Sequence, residues 1–362
     1  MKLLRIAETL SVASLGGFLF SLLHMPLPWM LGALTAVLLW NSATKRPICW
    51  PPYACYAGLL LIGYAIGCTF TSETARQILE QLPLITLATI TITAFSTWQG
   101  YRFHKKTSIN LPSSLLGSIP GGLSQMPVLS REIPGADISV VTLMQAMRQL
   151  SVVFFVPFLA IHGLSDSSVL TPTVPALTTE TISDTQAVLL GFLVIASGFI
   201  GRFLKFPTPF LLGAVLATSA WVLAGLPAPQ PSRDWLNAAQ LCVGTYTGAR
   251  IQLKNLQSFR NALPLALLSV VSLLTVSSGL SLLLAYFFDI PLLTAFLSTA
   301  PGGMAEMGLT AMMVHADMAV VVAFQLFRLL FILTVVPPFL KYLIRCEKNR
   351  QELQRKKAEL QL

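Results

Sequence analysis

A twelve-residue segment occurs twice in this chain, and each copy precedes an Asp, a Gln and an Arg at closely matching distances. Residues 117–128 read GSIPGGLSQMPV, and residues 298–309 read STAPGGMAEMGL. The polar residues that follow are Asp137, Gln145 and Arg148 in the first copy, and Asp317, Gln325 and Arg328 in the second. Self-similarity at a fixed spacing is typical of repeated structural units, so the chain is predicted to fold as two copies of one unit.

The similarity extends over most of the chain at an offset of 181 residues. The paired segments include 27–33 with 208–214, Gly63 and Gly67 with Gly244 and Gly248, and 82–84 with 263–265. The offset shortens to 180 from the Asp onward, which one deleted residue explains. The Gly pairs have the GxxxG spacing, which favours close helix packing.

Composition places these units in a lipid bilayer. The mean hydropathy is +0.71 and charged residues make up 11% of the chain, whereas soluble domains carry about 25%. Apolar runs long enough to cross about 30 Å of hydrocarbon recur throughout. The predicted fold class is an all-α polytopic membrane protein with about ten transmembrane helices in two inverted five-span repeats.

Each half is predicted to contain five spans and a short segment that Pro-Gly-Gly breaks or makes re-entrant. The first-half spans are 6–23, 27–43, 53–71, 82–101 and 137–160, with the short segment at 111–128. The second-half spans are 186–204, 208–226, 235–251, 263–288 and 317–342, with the short segment at 291–309. The resulting division is membrane repeat 1 (1–160), a periplasmic linker (161–185), membrane repeat 2 (186–342) and a basic cytoplasmic tail (343–362).

The distribution of charge predicts an inverted arrangement of the halves. The formal charge of +9 resides mainly in short loops and in the tail, as the positive-inside rule requires, so it does not indicate nucleic-acid binding. The linker contains Asp166, Glu180 and Asp184 but no Lys or Arg, which places it outside. Both termini are then cytoplasmic, although Arg76 and Arg233 fall on the opposite side. Parallel repeats remain the alternative if the short segments cross the membrane.

The Pro-Gly-Gly segments admit two interpretations. Either they are tight turns within helical hairpins, or they are broken elements of a binding site, since non-helical backbone at membrane depth survives where it is buried or lines a cavity. Inverted repeats with broken helices are typical of secondary transporters. The candidate substrate-binding residues of these segments are Pro120, Gly121, Gly122, Ser124 and Gln125, and Pro301, Gly302, Gly303 and Glu306.

The polar residues of the following helices extend this candidate site. Arg148 and Arg328 lie near the middle of apolar spans, where an ionisable residue is by default a functional-site hypothesis. They are predicted to bind an anion together with Gln145 and Gln325, or else to form salt bridges or hydrogen bonds to loop carbonyls.

The two aspartates also have two interpretations. Asp137 and Asp317 precede their helices and are predicted either to couple transport to a proton or sodium ion, or to cap those helices. Ser, Thr, Asn and Asp are the side chains preferred at helix N-caps.

The remaining motifs do not support catalysis. The four His have no metal-ligand spacing, and the five Cys form no CxxC pair. The chain contains no P-loop and no GxSxG or HExxH motif. We therefore expect no enzyme activity, no metal and no cofactor.

The paired motifs resemble one known family. Pro28-Trp-Met-Leu-Gly, Ser118-Ile-Pro-Gly-Gly-Leu-Ser-Gln-Met, Gly135-Ala-Asp and Gln145-Ala-Met-Arg resemble the bacterial membrane AbrB-duplication family. The resemblance covers nearly the whole chain and implies an inner-membrane protein, but it supplies no catalytic or binding residues. Family names include AbrB-type regulator of gene expression and ammonia monooxygenase, and the dispersed His do not support the second.

The function predicted from these observations is secondary transport or export of a small anionic organic solute by alternating access. The alternative is a membrane-embedded regulator of gene expression that senses a ligand. The expected partners are the lipid bilayer, the small anionic solute and a coupling ion, and the sequence leaves homo-oligomer formation open.

The topology can be tested by labelling single cysteines placed in a background without the five native ones. A cysteine at position 170 should react only with a reagent applied from the periplasm, and cysteines at 45, 105 and 350 only from the cytoplasm. Cytoplasmic labelling at 170 would replace the inverted arrangement with parallel repeats.

Overall fold

Every element that the structure describes is a helix. The computed structural model describes residues 2–44, 48–123, 125–164, 183–251, 263–345 and 347. The first eight helices are α1 (Lys2–Leu22), α2 (Pro28–Thr44), α3 (Pro52–Gly67), α4 (Ser72–Glu80), α5 (Leu82–Lys106), α6 (Leu111–Ser118), α7 (Gln125–Ser130) and α8 (Ile138–His162). The others are α9 (Asp184–Phe203), α10 (Pro209–Leu223), α11 (Arg233–Arg250), α12 (Leu263–Phe288), α13 (Leu292–Thr299), α14 (Met304–Met313), α15 (Met318–Thr334) and α16 (Val336–Arg345).

Several of these helices could cross a membrane. By length and composition, α8, α9 and α12 qualify individually. Two more spans arise if each bent pair counts as one, namely α3 with α4, bent by 90°, and α15 with α16, bent by 42°. The prediction of an all-α chain with apolar, membrane-compatible helices is confirmed for the described residues.

Backbone conformations recur at the spacing of the sequence repeat. The matched residues with positive φ are His24 with Lys205, Leu27 with Thr208, and Gly135 with His315. Positive φ is uncommon for residues other than glycine. Its recurrence at offsets of 181, 181 and 180 residues therefore marks equivalent turns before α2 and α10, and before α8 and α15.

Glycines bring helices of the two halves into close contact. A Cβ on Gly63 of α3 would lie 2.5 Å from the carbonyl oxygen of Leu211 on α10. The counterpart of Gly63 is Gly244 on α11, and a Cβ there would collide with the carbonyl oxygen of Met30 on α2. Small residues permit this approach of backbones. Each half thus provides a glycine surface for the second helix of the other half.

The long helices α5 and α12, which the repeat matches, run antiparallel to one another. Leu84 at the start of α5 shares a hydrophobic cluster with Leu284 near the end of α12. Phe103 near the end of α5 clusters with Ala266 at the start of α12. Corresponding segments of the two halves therefore point in opposite directions at this contact.

The structure adds one helix and divides one predicted span. Helix α4 was not predicted; it follows the span 53–71, Thr71 caps its N-terminus, and none of its residues is buried. The span 317–342 separates into α15 and α16 at Val335. Pro337 lacks the N–H that would continue the α15 hydrogen bonds. Its counterpart Pro157 lies inside α8, which continues through it.

Some predictions fall outside the described residues. These are most of the linker 161–185, the tail beyond residue 347, the labelling position 45 and the site residue Ser124.

The glycine contacts predict a selective loss of stability. Gly244→Ala should lower the free energy of unfolding by about 1–3 kcal/mol, because the added methyl group meets backbone that must shift. Gly279→Ala on α12 is the control, since a Cβ there has nothing within 4 Å. The apparent thermal midpoints of the detergent-purified variants measure the difference. Equal midpoints for the two variants would contradict the proposed close packing.

Candidate functional site

Each Pro-Gly-Gly segment separates two short helices, α6 from α7 in the first half and α13 from α14 in the second. Helix α6 ends at Ser118 before the first segment, and α13 ends at Thr299 before the second. The last carbonyl groups of a helix have no partner within that helix. Because Ser118 and Thr299 are buried, these carbonyls need hydrogen-bond donors from elsewhere in the protein.

Gln145 and Arg148 of α8, the first Gln–Arg pair, provide donors for the first break. Gln145 Nε2 donates to the carbonyl oxygens of Leu116 and Ile119, both at 2.8 Å. Arg148 Nη1 donates to the Ile119 carbonyl at 3.0 Å, and its Nη2 donates to Gln145 Oε1 at 2.6 Å. The two side chains therefore act as one unit on the C-terminal end of α6.

Gln325 and Arg328 of α15, the second Gln–Arg pair, repeat this arrangement at the second break. Gln325 Nε2 donates to the carbonyls of Leu297 at 2.8 Å and Ala300 at 3.1 Å. Arg328 Nη1 donates to Ala300 at 2.7 Å, and Nη2 donates to Gly302 at 2.7 Å and to Gln325 Oε1. The additional bond to Gly302 distinguishes the second pair from the first.

These bonds decide how the arginines are held. Each guanidinium lies against the negative end of a helix dipole, where a cation is stabilised. Hydrogen bonds to loop carbonyls, one of the interpretations from the sequence, are therefore observed. Neither arginine has a carboxylate partner among the described residues. The ion pair seen there, between Arg76 and Glu80, lies on the exposed surface of α4. Structural salt bridges for Arg148 and Arg328 are thus not found in that part of the chain.

The arginines retain capacity for a further ligand. Both are 4% exposed, and the Nε of each has no hydrogen-bond partner among the described residues. The cavity beside Arg148 measures about 10 Å³, which is roughly the space for one water molecule. This conformation is therefore closed around Arg148.

A carboxylate of the second half reaches the helix that carries the first Gln–Arg pair. Glu306, in the first turn of α14, accepts a hydrogen bond from Gln149 Nε2 of α8 at 2.9 Å. The N-terminal end of a helix favours a negative group. Sequence reasoning included Glu306 but missed Gln149, whose signal was a second amide directly after Arg148 in an apolar helix.

The other predicted residues lie at the two breaks. Pro120, Gly121 and Pro301 are buried. Gly122 has φ +92°, whereas Gly303 has φ −85° and is the N-cap of α14. The two loops therefore differ in backbone conformation. Gln125 begins α7. Its Oε1 lies 3.2 Å from the point that a Cβ would occupy if Gly122 carried a side chain.

Asp137 and Asp317 occupy N-cap positions. Asp137 Oδ1 accepts from the backbone N–H of Ser139 at 2.8 Å, and Asp317 Oδ1 accepts from that of Val320 at 3.1 Å. Helix capping, one of the two interpretations from the sequence, is therefore the observed geometry. Ion coupling by these aspartates stays a prediction.

The caps predict a graded response to substitution. Asp137→Asn and Asp317→Asn should leave the thermal midpoint nearly unchanged, because Asn caps about as well as Asp. The corresponding Ala variants should lose about 0.5–2 kcal/mol of stability. Thermal unfolding of the four purified variants measures this. A loss in the Asn variants as large as in the Ala variants would show that the charge, and not the cap, is required.

The described residues offer no recognisable metal centre. Within them, no group of three or more His, Cys, Asp or Glu side chains could hold a metal ion. The four cysteines in the described ranges are free thiols.

Two relatives match nearly the whole chain. The Bacillus subtilis (strain 168) protein named "Uncharacterized protein YhjN" is 27% identical over 368 residues, covering 94% of each chain. The Escherichia coli (strain K12) protein named "Putative regulator AbrB" is 27% identical over 335 residues, covering 90% of this chain and 92% of its own.

A family model agrees with these similarities and with the resemblance seen in the sequence motifs. The family described as transition state regulatory protein AbrB matches residues 29–344, a range that includes both breaks and both Gln–Arg pairs. The chain belongs to this AbrB family.

Proposed function

We propose that this chain is an integral protein of the bacterial inner membrane that transports a small anionic organic solute by alternating access and catalyses no reaction. The observation that carries this proposal is the pair of buried arginines, one at each helix break, that have no carboxylate partner within the described ranges. Burying an ion without a counter-ion is costly. A bound anion would lower that cost at both arginines at once.

Hydrogen-bonding chemistry indicates how the solute would be held. The planar guanidinium donates along fixed directions and suits carboxylate or phosphate oxygens. The Nε atoms of Arg148 and Arg328 have no hydrogen-bond partner in the part of the chain that the structure describes, so they can bond a solute while the Gln–Arg pairs stay on the carbonyls. The cavity at Arg148, at about 10 Å³, is too small for an organic solute. The solute must therefore enter in another conformation, in which one of the Pro-Gly-Gly segments has moved away from α8 or α15.

The proposed topology has ten spans in two inverted repeats, with both termini cytoplasmic. In this scheme α1, α2, α3, α5 and α8 form the first repeat, and α9, α10, α11, α12 and α15 with α16 form the second. The broken pairs α6–α7 and α13–α14 are re-entrant. The antiparallel contact of α5 with α12 and the reciprocal glycine contacts support the inversion.

Glu306 is the carboxylate best placed to couple this movement to an ion. It lies at the second break and contacts Gln149 beside Arg148, whereas Asp137 and Asp317 already cap helices. Release of Gln149 on binding a proton or sodium ion would loosen the contact between the two halves at that point. The position equivalent to Glu306 in the first half is Gln125, so the coupling would be confined to one break.

A membrane-embedded regulator is the second candidate. The family description and the name of the Escherichia coli relative favour it. Such a protein would bind an anion at the same arginines and signal through a partner, without moving the anion across the membrane.

Proteoliposome flux tests the proposal. The purified chain is first screened by thermal shift against small carboxylates and organic phosphates, and each stabilising compound is then measured for uptake. Arg148→Lys and Arg328→Lys keep the charge but lose the planar donor set. Each should weaken binding roughly 10-fold or more, corresponding to about 1.4 kcal/mol. Arg76→Lys on exposed α4 is the matched control and should behave like wild type.

The outcomes separate the candidate functions. Saturable uptake that the two arginine variants lose supports transport, and binding without uptake supports the regulator. Equal affinity in Arg148→Lys, Arg328→Lys and the wild type would exclude an anion site at the arginines. In the same assay, Glu306→Gln should retain solute binding and lose the response of uptake to an ion gradient. A retained response would exclude Glu306 as the coupling group.

A further inference from the structure

A large apolar groove lies between α5, α6, α15 and α16. It runs beside the bend between α15 and α16 and has a volume of about 770 Å³. Its walls are mainly aliphatic and aromatic, and they include Ile90, Ala94 and Trp98 of α5, Leu115 of α6, Phe331 of α15 and Phe339 of α16. This size falls within the range of small-molecule pockets.

An apolar space of this size in a membrane protein requires a hydrocarbon occupant. Protein interiors contain few voids larger than a water molecule, so such a space is filled in the folded state. The chain beyond residue 347 is rich in Lys, Arg and Glu, which makes it a poor filling for apolar walls. Acyl chains of the surrounding bilayer have the matching chemistry.

Two cations mark one end of the groove. The guanidinium of Arg102 lies 4.9 Å from the centroid of the Trp98 ring, and Lys105 Nζ lies 4.6 Å from that of Tyr101. Both rings line the groove. Neither cation forms an ion pair among the described residues. Among the described residues, Glu347 is the carboxylate that lines the groove, and the two cations outnumber it.

The charged end lies where a lipid headgroup would lie. Arg102 and Lys105 are in the last two turns of α5, and the charge pattern places that end at the cytoplasmic surface. The cytoplasmic leaflet contains anionic lipids, and each Lys or Arg near it contributes about 1 kcal/mol of attraction. Trp and Tyr are also the side chains enriched at membrane interfaces.

We propose that this groove is a binding site for an anionic phospholipid, with an acyl chain along α5 and the headgroup on Arg102 and Lys105. The site rests on the proposed membrane topology, which puts this end of α5 at the cytoplasmic surface, and it is independent of any transported solute. It is lined by Val335 at the bend and by Leu111 and Leu115 of α6. An occupant would therefore contact two of the elements that hold the candidate site.

Native mass spectrometry of the purified full-length chain tests this site. Phosphatidylglycerol and phosphatidylethanolamine are added in turn, and the ratio of their dissociation constants is measured. The wild type should prefer phosphatidylglycerol. The double variant Arg102→Gln with Lys105→Gln should lose up to about 30-fold of that preference, which corresponds to about 1 kcal/mol per cation. Ala94→Trp, which fills the groove, should reduce binding of both lipids.

Two single variants make the test specific. Lys106→Gln removes an exposed cation of the same helix and should leave the preference unchanged. Glu347→Gln should increase the preference for phosphatidylglycerol, because it removes the opposing charge. The proposal is overturned if the double variant keeps the wild-type preference or if Ala94→Trp leaves lipid binding intact. It is also overturned if the wild type is found as two copies and Ala94→Trp as one copy. In that case the groove of the wild type would be occupied by a second chain and not by a lipid.

Discussion

The fold depends on hydrogen bonds that four side chains make to interrupted helices. A helix that stops inside an apolar bundle leaves carbonyl groups without water, and each unsatisfied group is costly. Gln145 with Arg148, and Gln325 with Arg328, satisfy those groups at the two breaks. The breaks therefore exist at low cost only where these residues reach them. Glutamine provides both a donor and an acceptor, so it bonds the carbonyls and orients the arginine at the same time.

Much of this arrangement could be predicted from residue identity and spacing. The matched breaks, the buried arginines and the all-α class followed from the repeat and the hydropathy. The capping role of Asp137 and Asp317 was also among the sequence interpretations, because an Asp at the start of an apolar run is a local signal. The backbone carbonyl partners of the arginines could be stated only as one of several options, since the identity of a partner depends on how α6 and α13 fold back.

Other features lay beyond sequence reasoning for definite physical reasons. The contact of Gln149 with Glu306 joins residues 157 apart, and Leu329, the equivalent of Gln149 in the second half, has no side-chain donor to repeat it. Helix α4 was hidden because its exposed, polar sequence lacks the hydropathy used to find spans. The division of the last span at Val335 was not foreseen, since the equivalent Pro157 leaves α8 undivided. A proline removes one donor in both cases, and the surrounding packing decides whether the helix bends.

The reciprocal contacts of Gly63 with Leu211 and of Gly244 with Met30 have an evolutionary consequence. Each half presents a glycine-lined packing surface to the other half, so a single half would expose that surface with no partner. If the halves are inverted as proposed, a half-length ancestor could form these contacts only by pairing with a copy inserted in the opposite orientation. In that case the ancestor would have needed a nearly balanced distribution of Lys and Arg between its two sides, and a later gene fusion would have fixed one orientation for each half.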